Sequence, residues 1–142
     1  MSAVRGIRGA TTVAANERGA IVSATREMLE LIVRLNKIFP EDVASIWFTA
    51  TPDLDAEFPA FAARQIGWTD VPLICAREIP VAGALERCVR VLIHWNTDRS
   101  QAEIRHVFLH AARALRPQWA IDLPGDEAVS PVADGPGQGT MS

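Results

Sequence analysis

Lysine, cysteine and tyrosine are scarce in this sequence. One lysine, Lys37, stands against thirteen arginines, the cysteines are Cys75 and Cys88, and there is no tyrosine among the 142 residues. The cysteines form no CxxC and do not pair with histidines at metal-ligand spacing, so the sequence indicates no metal site at them. Two cysteines leave a disulfide open, but reduced thiols in a cytosolic protein are the favoured interpretation.

Positive charge and long apolar runs are also lacking. The formal net charge is −3, which argues against a nucleic-acid partner bound through bulk positive potential. No apolar run approaches the ~20 residues of a membrane helix, and "MSAVRGIRGA" lacks the apolar core of a secretory signal. We therefore expect a soluble, cytoplasmic protein with no membrane partner, in which any anion site is local and built from a few converging arginines.

Alternation and helical spacing predict a mixed α/β fold with about five strands and two main helices. A long helix is expected from an N-cap at Asn16 to about Lys37, and a short helix from Pro59 to a terminating Gly67. The predicted strands are, in chain order, "AVRGIRGATTV", "DVASIWFTATPDL", "VPLICARE", "RCVRVLIHWNT" and "IRHVFLHAARAL". The second of these is almost continuously apolar, which is typical of a strand covered on both faces.

The chain is expected to form one domain over residues 1–123. Residues 124–142 are rich in proline and glycine and are predicted to form a disordered C-terminal tail. Two helices cannot cover both faces of a five-stranded sheet. The most economical remaining cover is another copy of the chain, so we expect a homo-oligomer built around packed sheets.

Short motifs of covalent, nucleotide and metal chemistry are absent: the sequence has no GxSxG, GxxxxGK[ST], GxGxxG or HExxH. Cys75 could act as a nucleophile with a histidine as its base, but a cysteine in an apolar strand is more often a small core residue. His106 and His110 lie four residues apart with no third ligand candidate beside them, which argues against a metal site.

Arginines recur beside apolar strand and helix residues. In "RCVRVLIHWNT", alternation puts Arg90 on one face with Cys88 and Leu92, opposite a plain core face. The other members are Arg8, Arg64, Arg116 and the carboxylate Glu78. Each alone is typical of a solvated face. Together they could form a pocket with several fixed cations and one carboxylate, suited to a small ligand that carries several carboxylates and a hydroxyl.

Five segments closely resemble, in order and spacing, the monofunctional chorismate mutases of the trimeric pseudo-α/β-barrel type. They are "RGIRGATTV", "TATPDLDAEFPA", "VPLICARE", "GALERCVRV" and "IRHVFLHAARALRP", and the similarity runs from about Val4 to Pro117. The resemblance implies a mixed sheet in each subunit, with the sheets of a homotrimer packed together and the helices outside. It also implies active sites in the clefts between adjacent subunits.

The resemblance implies an isomerase that rearranges chorismate to prephenate in phenylalanine and tyrosine biosynthesis, with no cofactor, metal or covalent intermediate. By position, Arg90 would stabilise the ether oxygen, Arg8 would bind a substrate carboxylate and Glu78 would accept a hydrogen bond from the ring hydroxyl. The other residues expected around the substrate are Cys75 beside Glu78, Leu73 and Ile74 along the pocket, Phe58, Ala60 and Arg64 from the neighbouring subunit, and Leu115 and Arg116 at the rim.

Two positions depart from the pattern of these mutases. Phe108 stands where they usually have a tyrosine whose hydroxyl reaches the substrate, and Phe61 replaces a lysine that is common near the site entrance. Because the three residues assigned to the reacting groups are present, both departures predict weaker substrate binding more than lost chemistry.

Three other functions stay open. The trimeric enamine/imine deaminases have a similar shape and bind small carboxylates with arginine, but the segments quoted above look like the mutases and not like that family. Only Phe108 and Phe61 point to the second function, a carboxylate-binding protein without turnover. A plain structural oligomer is the least favoured, because so many segments match in order.

Overall fold

The computed structural model describes residues 2–128, whose strands form one five-stranded mixed sheet. The strands are β1 (Ala3–Thr12), β2 (Val43–Ala50), β3 (Leu73–Arg77), β4 (Cys88–Thr97) and β5 (Val107–Phe108), and the helices are α1 (Arg18–Asn36) and α2 (Phe61–Gln65). The strand order is β3-β2-β4-β1-β5, in which β4 is antiparallel to β1 and β2, and the outer pairs are parallel. This arrangement confirms the predicted mixed fold with two helices.

Helix α1 packs on one face of the sheet through its predicted apolar stripe. Ile21, Met28, Leu29 and Ile32 are completely buried, as expected for apolar residues at helical spacing. Gly9 allows the helix to come close, because a Cβ atom there would lie 2.9 Å from Cδ1 of Ile32. The glycine that follows the arginine in β1 therefore serves helix packing on the sheet.

Strand β4 alternates as predicted, with Val89, Val91, Ile93 and Trp95 all at most 5% exposed on the face that α1 covers. The opposite side of the sheet is called the open face here. Cross-strand register places Ile74, Trp47, Leu92 and Arg8 in one row along it, and the first two side chains are 50% and 46% exposed. Within one chain, β2 is therefore covered on one face, whereas the sequence predicted cover on both.

One end of the open face is covered by the chain's own C-terminal part. After β5, the 3-10 helix His110–Ala114 folds back over β1, and the next 3-10 helix, Pro117–Trp119, packs Trp119 against the same side. They complete a second buried cluster, whose members are Ala10, Cys88, Phe108, Ala112 and Leu115. The predicted fifth strand, residues 104–115, is reduced to Val107–Phe108. Beyond it, His110 has a left-handed backbone (φ 53°) that ends the extended chain, and the alanine-rich run after it favours a helical turn.

Asn16 does not cap α1, and that prediction was wrong. The helix begins one residue after the extended Glu17. Instead, Oδ1 of Asn16 accepts hydrogen bonds from the backbone N–H groups of Asp55 and Ala56, both 3.0 Å, and its Nδ2 donates to Asp55 Oδ1 at 2.7 Å. Asn16 therefore holds the loop that leads to α2.

Helix α2 starts slightly later than predicted, and most of the predicted tail lies outside the described residues. Helix α2 begins at Phe61, after a turn that includes Pro59, and the chain leaves it through Gly67 with φ 90°. The predicted disordered tail lies outside the described residues from position 129 onward, and before that Asp126 accepts a hydrogen bond from the Leu123 N–H. Within residues 2–128, no helix is long and apolar enough to span a membrane.

Candidate active site

Arg90 and Glu78 meet at the end of the open face. Arg90 lies on β4 opposite Thr49 of β2, and Glu78 directly follows β3. Arg90 Nε lies 3.4 Å from Glu78 Oε2, with side chains 19% and 13% exposed, and Thr49 donates a hydrogen bond to the same oxygen at 2.7 Å. Among the described residues, the buried Nε of Arg90 has no hydrogen-bond partner. A held carboxylate thus lies beside a cation that still has donor capacity.

Arg8 and Arg116 complete a cluster of cations with Arg90, called the arginine cluster below. Burial lowers the pKa of Arg8 from its ordinary value, and the positive charges of Arg90 and Arg116 lower it further. The Arg8 guanidinium lies 5.6 Å from the centre of the Phe108 ring, and that of Arg116 lies 3.8 Å from the centre of the Trp119 ring. Three partly desolvated cations that repel one another form a site for an anion with more than one negative charge.

His106 supports the arginine cluster through the backbone of Arg8. Its Nδ1 accepts a hydrogen bond from the backbone N–H of Arg8 at 2.9 Å, and its ring centre lies 3.9 Å from that of Trp119. Burial, followed by the charges of Arg8 and Arg116, lowers the pKa of His106 to about 4. The ring is therefore neutral at neutral pH, which leaves Nδ1 free to accept this bond.

The apolar wall of the cluster comes from Phe108, Leu115 and Cys88, which share the second buried cluster. Phe108 and Cys88 are fully buried and Leu115 is 7% exposed. Burial raises the pKa of the Cys88 thiol to about 11, even though Arg90 favours the thiolate. Cys88 is thus a neutral packing residue beside the cations at neutral pH.

A second group of the predicted residues gathers on the helix-covered side of β3. Leu73 and Cys75 pack partly buried against the main core, and the backbone of Ala60 lies within hydrogen-bonding reach of the Cys75 thiol. Burial raises the pKa of that thiol. Phe58, 70% exposed, and Cys75 line a depression of about 460 Å³ between β3 and the preceding loop. Arg64 is exposed on α2.

The two groups are separate within one chain. Cys75 faces the main core, whereas Glu78 binds Thr49, whose side chain alternates with the core-facing Phe48. Ile74 points to the open face. The structure thus brings together Arg8, Glu78, Arg90, Phe108, Leu115 and Arg116, and gathers Phe58, Ala60, Leu73 and Cys75 elsewhere.

Phe61 has a cation beside it despite replacing the expected lysine. The Arg18 guanidinium lies 5.2 Å from the Phe61 ring centre, and its Nε is 2.8 Å from Glu57 Oε2. Because Glu57 neutralises Arg18, the pair contributes little net charge to this side of the site.

Sequence reasoning missed Thr49, Trp119 and the supporting role of His106. Thr49 could be found only with the β2–β4 register in hand. His106 had been weighed as a base or metal ligand, whereas it holds the Arg8 backbone. No three histidine, cysteine, aspartate or glutamate side chains within residues 2–128 come together as candidate metal ligands.

Comparisons with known proteins agree on one family. The family model described as chorismate mutase type I matches residues 4–119. The chain is 53% identical to the chorismate mutase AroH of Thermus thermophilus over 115 residues, which are 80% of this chain and 94% of that protein. It is 44% identical to the chorismate mutase AroH of Bacillus subtilis (strain 168) over 119 residues, which are 83% and 94% of the two chains.

A solved structure is similar to the whole fold described above. The chorismate mutase from Clostridium thermocellum superposes with a TM-score of 0.75 at 48% identity, covering 76% of this chain and 96% of that one. Residues 4–119, the range that the family model matches, contain the five strands apart from Ala3, both helices and the arginine cluster. The chain belongs to the type I chorismate mutase family.

Proposed function

We propose that this chain catalyses the rearrangement of chorismate to prephenate and that the arginine cluster, with Glu78, binds the reacting dianion. The observation that carries the assignment is Arg90, a largely buried cation whose Nε lacks a hydrogen-bond partner within the described residues while Glu78 lies 3.4 Å away. Family membership over residues 4–119 supports the reaction. As a chorismate mutase, the chain acts in aromatic amino-acid biosynthesis.

The reaction needs binding and electrostatics more than acid–base or nucleophilic groups. Chorismate breaks one C–O ether bond and forms one C–C bond in a concerted [3,3] shift, so no atom is gained or lost and no intermediate is covalently held. The enolpyruvyl side chain must first fold over the ring. Cations that hold both carboxylates select this compact conformer and supply the orientation part of the rate enhancement.

Arg90 is assigned to the ether oxygen. Negative charge grows on this oxygen as the C–O bond breaks, and a fixed cation there stabilises the transition state more than the ground state. Thr49 and Glu78 fix the position of Arg90 before substrate arrives. One such group typically contributes roughly 3–4 kcal/mol, while enzymes lower barriers by at least ~8 kcal/mol, so substrate folding must supply a large share.

Arg8, Arg116 and Glu78 are assigned to substrate binding. Burial, and then the like charges of Arg90 and Arg116, lower the pKa of Arg8, and a dianion supplies the opposite charge to all three cations. Arg8 binds a carboxylate and Arg116, with Leu115, closes the rim. Glu78, held by Thr49, accepts the hydrogen bond of the ring hydroxyl. In this assignment, each arginine faces a negatively charged group of the substrate, and the Glu78 carboxylate faces a hydrogen-bond donor.

The working unit in this proposal is a homotrimer with sites between subunits. The open face leaves Trp47 and Ile74 about half exposed, and an apolar sheet face of this kind is typical of an interface. Head-to-tail packing of three copies makes one closed ring. In this arrangement, Phe58, Ala60 and Arg64 of one subunit lie across the cleft from the arginine cluster of the next, and Leu73, Ile74 and Cys75 line the pocket.

The deaminase alternative is not favoured, because the family model and the relatives named above are chorismate mutases. A binding protein without turnover is distinguished by assay alone. The decisive experiment follows the loss of chorismate's ultraviolet absorbance on addition of purified protein, with prephenate identified as the product. Turnover abolished in Arg90→Ala supports the assignment, and a folded wild-type protein that leaves chorismate unchanged overturns it.

A further inference from the structure

Arg113 is a nearly buried cation that no step assigned above uses. Its side chain is 9% exposed, although it lies on the short 3-10 helix His110–Ala114 at the protein surface. The guanidinium Nε donates to the His110 carbonyl at 2.8 Å, Nη1 donates to Asp122 Oδ1 and Nη2 donates to the Glu127 carbonyl. A guanidinium with three directed bonds is a rigid connector rather than a solvated charge.

The bond between Arg113 and Asp122 joins the two ends of a short segment, since these residues are nine positions apart. The segment 114–121 between them carries Arg116 of the arginine cluster, together with Leu115 and Trp119, which pack beside it. The far end of the segment is also tied to the sheet, since the Ile121 N–H donates to the Phe108 carbonyl at 3.0 Å. Arg113 thus fastens both ends of the segment that holds Arg116.

The same connection reaches helix α1. Asp126 Oδ2 lies 4.0 Å from Nη1 of Arg113, and Asp126 Oδ1 lies 3.5 Å from Nδ1 of His110. The Nε2 atom of that histidine lies 2.7 Å from Glu27 Oε1 on α1. The segment is therefore fixed to the body of the subunit through side chains as well as through backbone.

Arg116 needs a support that is present before substrate binds. Burial is the largest cause of the lowered pKa of Arg8, and the charge of Arg116 adds to it, so these two like charges are close together. The Arg116 guanidinium lies 3.8 Å from the centre of the Trp119 ring, and both residues belong to the 114–121 segment. The position of Arg116 therefore depends on how that segment is fastened.

We propose that Arg113 is a positioning residue that holds Arg116 and Leu115 at the rim of the site before substrate binds. The inference rests on the proposed function, since it assigns Arg113 to substrate binding through Arg116. Preorganisation of this kind lowers the ordering cost that binding must otherwise meet. Losing Arg113 should therefore weaken capture of the dianion and leave the rearrangement itself nearly unchanged.

The test compares Arg113→Ala, Arg113→Lys, Arg116→Ala and the Arg113→Ala/Arg116→Ala double variant by steady-state kinetics with chorismate. We expect Arg113→Ala to raise KM about tenfold, the loss expected for one charge-assisted contact, with kcat changed by less than about threefold. Lysine should not rescue KM, because an ammonium cannot reproduce the three directed bonds. In the Arg116→Ala background, the further loss from Arg113→Ala should be less than about twofold.

Controls keep this test decisive. Arg34→Ala removes an exposed arginine from α1 and should change neither constant. If Arg113→Ala does not fold, Asp122→Ala tests the same connection, since it removes one hydrogen-bond partner of Arg113 at a side chain that is 82% exposed, and it should raise KM in the same direction. Unchanged KM in a folded Arg113 variant, or losses that add fully with Arg116→Ala, would overturn the proposal. Wild-type protein without turnover would instead overturn the proposed function.

Discussion

Glu78 lies 3.4 Å from the Nε of Arg90 but does not accept a hydrogen bond from it. The glutamate oxygen is instead bonded by Thr49. The two opposite charges thus stabilise each other while Arg90 keeps a donor for a further oxygen. A buried ion pair of this kind is weak evidence for stability, and its geometry fits binding and catalysis better.

The first prediction concerns Arg90. Replacing it by alanine removes the cation assigned to the developing charge on the ether oxygen, so kcat should fall about 100- to 1,000-fold, as for loss of an oxyanion-hole donor. KM should change much less. The measurement is the rate of chorismate loss by ultraviolet absorbance, with light scattering to check that the assembly is unchanged. Near-normal turnover in the Arg90→Ala variant would contradict the assigned role.

The second prediction concerns the open face. Trp47→Lys places a charge on a side chain that is 46% exposed in the isolated chain and that the proposed trimer buries. An unpaired charge at an interface is costly, so the variant should be monomeric by light scattering. Activity should be lost with assembly, because each site in the proposed trimer draws residues from two subunits.

A matched substitution separates assembly from general damage. Phe39 is 63% exposed and lies between α1 and β2, outside the strands of the open face. Phe39→Lys should leave the trimer and its activity intact. A monomeric Trp47→Lys protein with full activity would show that the site does not lie between subunits.

Most of the fold could be predicted from the sequence, because apolar and polar residues alternate simply along its strands. In β4, Val89, Val91 and Ile93 were placed correctly on the core face, and Arg90 on the other face, from period-two spacing alone. Spacing could not show that β4 lies between β1 and β2. Since that pairing brings Thr49 opposite Arg90, the support for the Glu78 carboxylate was not predictable.

Local signals failed where tertiary contacts decide the backbone. Asn16 is a good helix N-cap by type, but its side chain bonds the 55–56 loop. The fifth strand looked continuous in sequence, yet His110 turns the chain into a short helix. The Arg113 connection depends on residues 122–127, which the sequence analysis assigned partly to a disordered tail. The Asn16 contact joins segments about 40 residues apart, which local patterns do not reveal.

The third prediction concerns pH and His106. The pKa of this histidine is lowered from 6.5 to about 4 in the folded protein, so between those values the unfolded chain binds more protons. The free energy of unfolding must therefore fall as pH decreases through this window. His106→Asn keeps an acceptor for the Arg8 N–H and cannot be protonated, so its stability should depend less on pH.

Urea unfolding at fixed protein concentration, from about pH 7 down to about pH 5, measures this difference. In that range Asp126 and Glu103 stay ionised, because hydrogen bonds from the Leu123 and Ser100 backbones lower the pKa of each carboxyl. The wild-type slope should exceed that of His106→Asn. Equal slopes would mean that His106 binds protons equally well in the folded and unfolded protein, so that folding does not lower its pKa.

The last prediction concerns Phe108, whose ring lies 5.6 Å from the Arg8 guanidinium and which is fully buried beside Leu115. Phe108→Tyr adds a hydroxyl next to Arg8, the cation assigned to a substrate carboxylate. Because a hydrogen bond to a charged group contributes about 1.5–3 kcal/mol, KM for chorismate should fall by about tenfold or more, with little change in kcat. Phe39→Tyr, on an exposed ring outside the cluster, is the control and should leave KM unchanged. If Phe108→Tyr also leaves KM unchanged in a folded trimer, the phenylalanine is not what limits binding, and Phe61→Lys becomes the substitution that tests the missing cation.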